Sequence, residues 1–179
     1  MDSLGVANFF PSAETVPGPH PAKSESHYST SCHPGLDAVV LDLFSGTGAL
    51  GIESASRGAA AVVCIDDSPA AVRAIQKNVS AFSIESIVKV IKWDISRDLG
   101  CIRSPQPLYD LIFMDPPYGG GLVEKALKNL HKSQSVKQGA TLVVEHSKRE
   151  PLPNDLPFLS LTDQRKYGKT LVSFLVYMV

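Results

Sequence analysis

The sequence predicts an α/β fold: a doubly wound, seven-stranded, mostly parallel sheet with a C-terminal antiparallel hairpin. Three observations carry that expectation. From Leu36 onward short apolar runs alternate with helical patterns, as in βα units with a parallel sheet. The first four runs end at a carboxylate, namely Asp42, Asp66, Asp94 and Asp115. The last two runs are joined by Asp163 to Lys169, too short a connection for a helical crossover, so they pair antiparallel.

The elements follow in order. Val39 to Leu43 is the first strand, broken by the turn Ser45-Gly46-Thr47-Gly48 before a helix over Ala49 to Arg57 that Gly58 closes. Ala61 to Ile65 is the second strand, ending at Asp66-Asp67. Ser68-Pro69 then opens a helix with Ser as N-cap and Pro at its first position. Val72, Ile75, Val79 and Phe82 make one apolar stripe on that helix and are expected in the core. Ile87 to Lys92 is the third strand, with a short helical stretch expected through Ile95, Leu99 and Ile102. Tyr109 to Met114 is the fourth, running into Asp115-Pro116-Pro117-Tyr118-Gly119-Gly120-Gly121. A helix through Leu122, Ala126, Leu127 and Leu130 leads to a fifth strand over Ala140 to Glu145, and Phe158 to Thr162 and Leu171 to Met178 form the hairpin.

Residues 1–36 are rich in Pro and Ser and have no sustained period, so they read as a flexible N-terminal arm ahead of one catalytic domain over 37–179. Their irregularly spaced His20, His27 and His33 suggest no metal site, and Cys32, Cys64 and Cys101 lack metal-ligand spacing. Cys64, inside an apolar run, is expected in the core. The 17 Lys and Arg against 18 Asp and Glu leave a net charge of −1, so a nucleic-acid substrate must be attracted locally or through a partner. The apolar runs are too short to span a bilayer, and residues 1–35 contain no Arg and only Lys23, unlike an organellar presequence. The expectation is a cytoplasmic protein.

The turn after the first strand suits a nucleotide cofactor, because glycine lets the backbone adopt positive φ and lets a ligand approach without meeting a Cβ. Gly46-x-Gly48-x-x-Gly51, with Asp66 about 20 residues on, also matches a dinucleotide fingerprint. The carboxylate of Asp42 and the wide spacer Leu43-Phe44-Ser45 favour S-adenosylmethionine (SAM), since an acidic loop repels a pyrophosphate and accepts hydrogen bonds from an α-amino group. Asp42, Phe44, Ser45, Gly46, Thr47 and Gly48 are the candidate cradle.

Asp115-Pro116-Pro117-Tyr118 supplies the chemistry. Two prolines after a buried strand remove two backbone donors and leave carbonyls to be satisfied from outside the sheet. An exocyclic base amine could donate to the Asp115 carboxylate and the Pro116 carbonyl. Its lone pair would then turn toward an incoming methyl group, and the positive charge developing on nitrogen would be stabilised. Tyr118 would stack on the base, which must be unpaired or extruded to enter.

With those residues in place, the sequence resembles the class I SAM-dependent methyltransferases, with their Rossmann-like fold, and more narrowly the bacterial RsmD-like family, which methylates guanine N2 in small-subunit ribosomal RNA. The resemblance rests on Val40 to Glu53, Ser56-Arg57-Gly58-Ala59, Asp115 to Tyr118, Val143-Val144-Glu145-His146 and Arg165 to Thr170. It implies that Asp42, Gly46 and Gly48 hold the methionine part of SAM, that Asp66, with Asp67 beside it, takes the ribose hydroxyls, and that Asp94 takes the adenine amine. Asp115, Pro116, Pro117 and Tyr118 form the acceptor pocket. The implied substrate is small-subunit rRNA or the assembling small ribosomal subunit, with no membrane involvement and a monomeric enzyme. The family's usual basic N-terminal hairpin and helix have no counterpart in Met1 to Asp37, so RNA affinity falls to Lys148, Arg149, Arg165, Lys166 and Lys169 or to a protein partner. Other readings are an adenine-N6 or other amino-methyltransferase, an NAD-dependent oxidoreductase, and a catalytically inactive RNA- or protein-binding relic.

Overall fold

The computed structural model describes residues 37–103, 108–153 and 155–179. The arm over 1–36 lies outside them. Seven strands form one sheet: β1 (Val39–Leu43), β2 (Ala61–Asp66), β3 (Val88–Lys92), β4 (Tyr109–Met114), β5 (Val136–Ser147), β6 (Leu159–Tyr167) and β7 (Thr170–Tyr177). Their order across the sheet is β3-β2-β1-β4-β5-β7-β6. β1 to β5 are parallel, and β7 runs antiparallel to both β5 and β6. Strand order reverses between β1 and β4, and the crevice at the carboxyl ends beside that reversal is where open α/β sheets bind ligands.

Each strand's apolar character follows from burial on two sides. One face packs Leu41, Leu43, Ile112, Met114, Leu142 and Val144 against Ala126, Leu127 and Leu130 of α3 (Leu122–Ser133). The other packs Val40, Val62 and Cys64 against Ala55 of α1 (Ala49–Ser56) and against Ile75 and Val79 of α2 (Pro69–Ala81). Cys64 is fully buried, as expected. Ser68 caps α2, its side chain accepting from Ala71 N, with Pro69 at the first helical position.

Four local expectations need correction. Phe82 is 65% exposed, because α2 ends at Ala81 and the stripe stops at Val79. The segment after β3 buries Ile95, Leu99 and Ile102 but is a run of turns with one 3₁₀ turn at Gly100–Ile102. There the Asp94 carboxylate accepts from Ser96 N and the Asp98 carboxylate from Gly100 N, and such local bonds compete with a helix. β5 begins at Val136, well before Ala140, with Gly139 at φ +81 where its register against β4 shifts. β6 extends to Tyr167, so the hairpin turn is only Gly168-Lys169.

Candidate active site

Asp42 is the fourth residue of β1, and the strand register sets it beside Phe113 of β4. The chain leaves β1 through Phe44 at φ +60, a left-handed conformation uncommon for a non-glycine residue. Gly46 follows at φ +55, and a Cβ built on it would meet nothing within 4 Å, so this turn has room for a ligand against its backbone. Gly51, one turn into α1, is there for close packing: a Cβ would lie 2.6 Å from Cys64 Sγ, 3.1 Å from Val62 Cγ1 and 3.2 Å from Asp42 Oδ2. That approach lets Gly51 N donate to Asp42 Oδ2 at 3.1 Å.

Asp66 ties the first turn to the second. Its Oδ2 accepts from Gly46 N at 2.9 Å and its Oδ1 from Ser68 N at 2.9 Å. The Ser45 hydroxyl donates to the Asp42 carbonyl at 2.6 Å and accepts from Ile65 N at 3.0 Å. Thr47 presents its carbonyl to Asn78 of α2 at 3.0 Å. Asp94 lies just past β3. The Ser96 hydroxyl and amide hold its carboxyl below the usual carboxylate range, so it is an acceptor at neutral pH.

Two adjoining recesses join these residues to the fourth strand's end. One, about 360 Å³, is lined by Phe44, Gly46, Asp66, Asp67, Trp93, Asp94, Asp115 and Pro117 among others. The second, about 560 Å³, is lined by Asp42, Phe44, Ser45, Gly46, Thr47, Asp115 and Pro117 together with residues of α1 and α2. Phe44, Gly46, Asp115 and Pro117 line both, so the first and fourth loops open into one continuous crevice. Gly48, buried at the start of α1, lines neither recess.

The two central carboxyls are poor anions here. Burial, with the Asp115 and Asp66 charges adding to it and the Gly51 N–H opposing it, raises Asp42 to about 7. Burial and the charge of Glu145 raise Asp115 to about 7. None of Asp42, Asp66 or Asp115 forms an ion pair with a described residue. A cationic ligand would relieve both groups; a pyrophosphate would aggravate them. No group of three or more metal-ligating side chains occurs among the described residues.

At the acceptor end Pro116 is buried and Pro117 exposed. Tyr118 is 58% exposed, yet its hydroxyl is fixed, donating to Glu145 Oε1 at 3.0 Å and sharing a hydrogen bond of 2.6 Å with Thr170 Oγ1. The ring is thereby open while its edge is held. Glu145, Thr170 and Glu150 are the residues that sequence reasoning missed as supports of this loop. Glu150 accepts from Gly119 N at 2.6 Å and Gly121 N at 3.3 Å across some 30 residues of chain. The run Gly119-Gly120-Gly121 was the one available hint that this loop leans on something else. His146 is buried, with Nε2 against Ser173 Oγ at 2.9 Å and Nδ1 against the Glu150 carbonyl at 3.0 Å, so it braces the strand end.

The sheet with its reversed C-terminal hairpin and the crevice beside β1 and β4 define the Rossmann-like fold of a class I methyltransferase. Solved structures agree: yhhF of Escherichia coli, described as a methyltransferase, superposes with a TM-score of 0.72 at 25% identity, over 80% of this chain and 79% of that one. The chain belongs to the family described as Conserved hypothetical protein 95, whose model matches residues 10–176. That match begins well ahead of the stretch over which the motifs carry the resemblance. Its relatives include YlbH of Bacillus subtilis, named as an rRNA methyltransferase, at 29% identity over 74% of this chain and 72% of YlbH. Ribosomal RNA small subunit methyltransferase D of Escherichia coli is 30% identical over 66% of this chain and 58% of its own. The chain thus spans under two thirds of that relative's length.

Proposed function

We propose that this chain transfers a methyl group from SAM to an exocyclic base amine, guanine N2 of small-subunit ribosomal RNA, in the cytoplasm. The observation that carries the reading is the single crevice lined by both the glycine turn and the Asp115-Pro117 segment. The names of the relatives supply the RNA class of the substrate.

The residues present suit SAM, because they offer acidic acceptors, no ion-paired cation, and a glycine turn open where a Cβ would otherwise stand. In this reading Asp42 and the Phe44 to Thr47 turn hold the methionine end, Asp66 and Asp67 the ribose, and Asp94 the adenine amine. When bound, SAM supplies an electrophilic methyl on a cationic sulfur. The rest is done by the protein through positioning and electrostatics. Ionised Asp115 accepts one N–H of the base amine, and the Pro116 carbonyl accepts the other. The exposed ring of Tyr118, anchored at its hydroxyl, gives the extruded base a surface to stack on. Asp115 also offsets the positive charge that develops on the amine nitrogen, whose surplus proton then leaves to water.

Radiolabelled methyl transfer to unmodified small-subunit RNA and to reconstituted subunits, followed by nucleoside analysis, tests the reading. N2-methylguanosine is expected. N6-methyladenosine would move the acceptor to adenine, and saturable NADH binding without SAM binding would overturn the methyltransferase reading altogether.

A further inference from the structure

The carboxyl edge of the sheet carries its charge unevenly. Because Ser147 at the end of β5 pairs with Thr170 at the start of β7, the turn at 147–150 and the hairpin turn at 167–170 both sit on the edge that holds the crevice. Lys148, Arg149, Lys166 and Lys169 are exposed there, and none forms an ion pair with a described residue. The acids nearby are engaged: Glu150 is turned onto the amides of Gly119 and Gly121, Glu145 accepts from the Tyr118 hydroxyl, and Asp163, further along β6, is taken by Arg165 at 3.0 Å. The opposite half of the edge carries a small acidic excess. Asp67, Asp94 and Asp98, with Lys92 and Arg97, line a recess of about 430 Å³ beside Trp93.

The basic turns are fastened to the acceptor loop and to each other. Lys148 N donates to the Lys169 carbonyl at 3.0 Å, Thr170 holds the Tyr118 hydroxyl at 2.6 Å, and Glu150 holds the glycines that follow Tyr118. A polyanion gripped by these turns is therefore placed relative to Tyr118. Four cations on mobile tips with their own counter-ions would form an ordinary solvated face. Here none has an ion-pair partner among the described residues, and the turns are hydrogen-bonded to the loop that follows Asp115.

We propose that the substrate RNA strand crosses the β5-β7 end of the edge, its phosphates on Lys148, Arg149 and Lys169, so that the target base drops toward Tyr118 from the basic side. The inference rests on the reading of the acceptor as an RNA base. It assigns local RNA attraction to the C-terminal turns in a protein whose net charge is −1 and which has no global field to supply it.

The test is fluorescence anisotropy of a short labelled single-stranded RNA over about 50 to 200 mM salt, with the full chain and two triple variants. Each phosphate contact to a single strand contributes about 0.7 to the slope of log affinity against log salt. Lys148→Ala/Arg149→Ala/Lys169→Ala should lower the slope by about 2, while Lys77→Ala/Lys89→Ala/Lys132→Ala, on α2, the amino end of β3 and the last turn of α3, leaves it unchanged. Calorimetric SAM affinity and the unfolding midpoint should match the parent in both. An unchanged slope in the first variant, an equal fall in the second, or no RNA binding by the parent at about 50 mM salt overturns the proposal. So does an unchanged RNA slope with methylation lost only on assembled subunits, which would assign the turns to a ribosomal protein. Methyl transfer is scored separately: a fallen slope without transfer supports the track and sinks the reaction, and transfer with an unchanged slope does the reverse.

Discussion

Replacing Asp42 by Asn measures how much stability the fold gives up to keep a carboxyl at the centre of its sheet. Asp42 is 2% exposed and has one backbone donor, Gly51 N at 3.1 Å. Its pKa rises from 3.8 to about 7, chiefly through burial. Because the folded value lies above the unfolded one, the native state holds the proton more tightly between those limits. Stability therefore falls as pH rises from about 4 to about 7, and the full cost is present above that window. A shift of about three units at about 1.36 kcal/mol each gives a cost of about 4 kcal/mol, large beside the 5 to 15 kcal/mol typical of a domain. Asn cannot ionise, and its Oδ1 can still accept from Gly51. Asp42→Asn should come close to the parent near pH 4, the low end of that window, and exceed its stability by up to about 4 kcal/mol near pH 9. Urea unfolding of both proteins at those two pH values gives the difference directly. Asp115 titrates in both, and because its charge is one of those that raise Asp42, the difference reports the loss of that repulsion together with the burial of Asp42. A difference that does not change with pH, or an Asn variant less stable at the alkaline end, refutes the account of Asp42.

Three further outcomes are expected. Asp115→Ala should lower methyl transfer by about 10²- to 10³-fold, the usual cost of one transition-state partner, while calorimetric SAM affinity stays within a few-fold; equal losses in both would contradict its acceptor role. Transfer should rise with pH through about 7, because only ionised Asp115 carries the negative charge that offsets the cation developing on the amine, and Glu145→Gln should move that limb to lower pH by removing the neighbouring charge, an unmoved limb counting against the pairing. Gly51→Ala should destabilise by about 1 to 3 kcal/mol in urea unfolding, since its Cβ would lie 2.6 Å from Cys64 Sγ, and Cys64→Ala in the same chain should recover part of the loss.

The strands that build the site were legible because each is buried on both faces and reads as a largely apolar run, interrupted in β1 by Asp42 and in β4 by Asp110: β1, β2 and β4 fall within a residue of expectation. The carboxylates at their ends stood out because charge is rare there. β6 hid its length, since Asp163, Gln164, Arg165 and Lys166 lie on an edge strand that is exposed over most of its length, where polar residues carry no period. Phe82 misled because spacing alone does not say where a helix stops. The supports of Tyr118 come from positions 27 to 52 residues away, and no local pattern announces such pairings.

The register between β1 and β4 accounts for both the cost and the use of the crevice. Asp42 stands opposite Phe113 and Leu43 opposite Met114, so Asp115 must emerge beside the turn that begins at Phe44. Two carboxyls are thus brought to one crevice by neighbouring parallel strands, away from any ion-pairing cation among the described residues. Hydrophobic packing offers no reason to put them there, because apolar side chains at Asp42 would fill the sheet at lower cost. The arrangement is stable only in proportion to the packing around it, and its charge is balanced only when something cationic or strongly hydrogen-bond-donating enters from solvent. A sulfonium with its α-amino group on one side and a base amine on the other meet that requirement from the two ends of the crevice. The basic turns lie beyond the second end, so the cofactor and the phosphate chain never compete for the same sign of field.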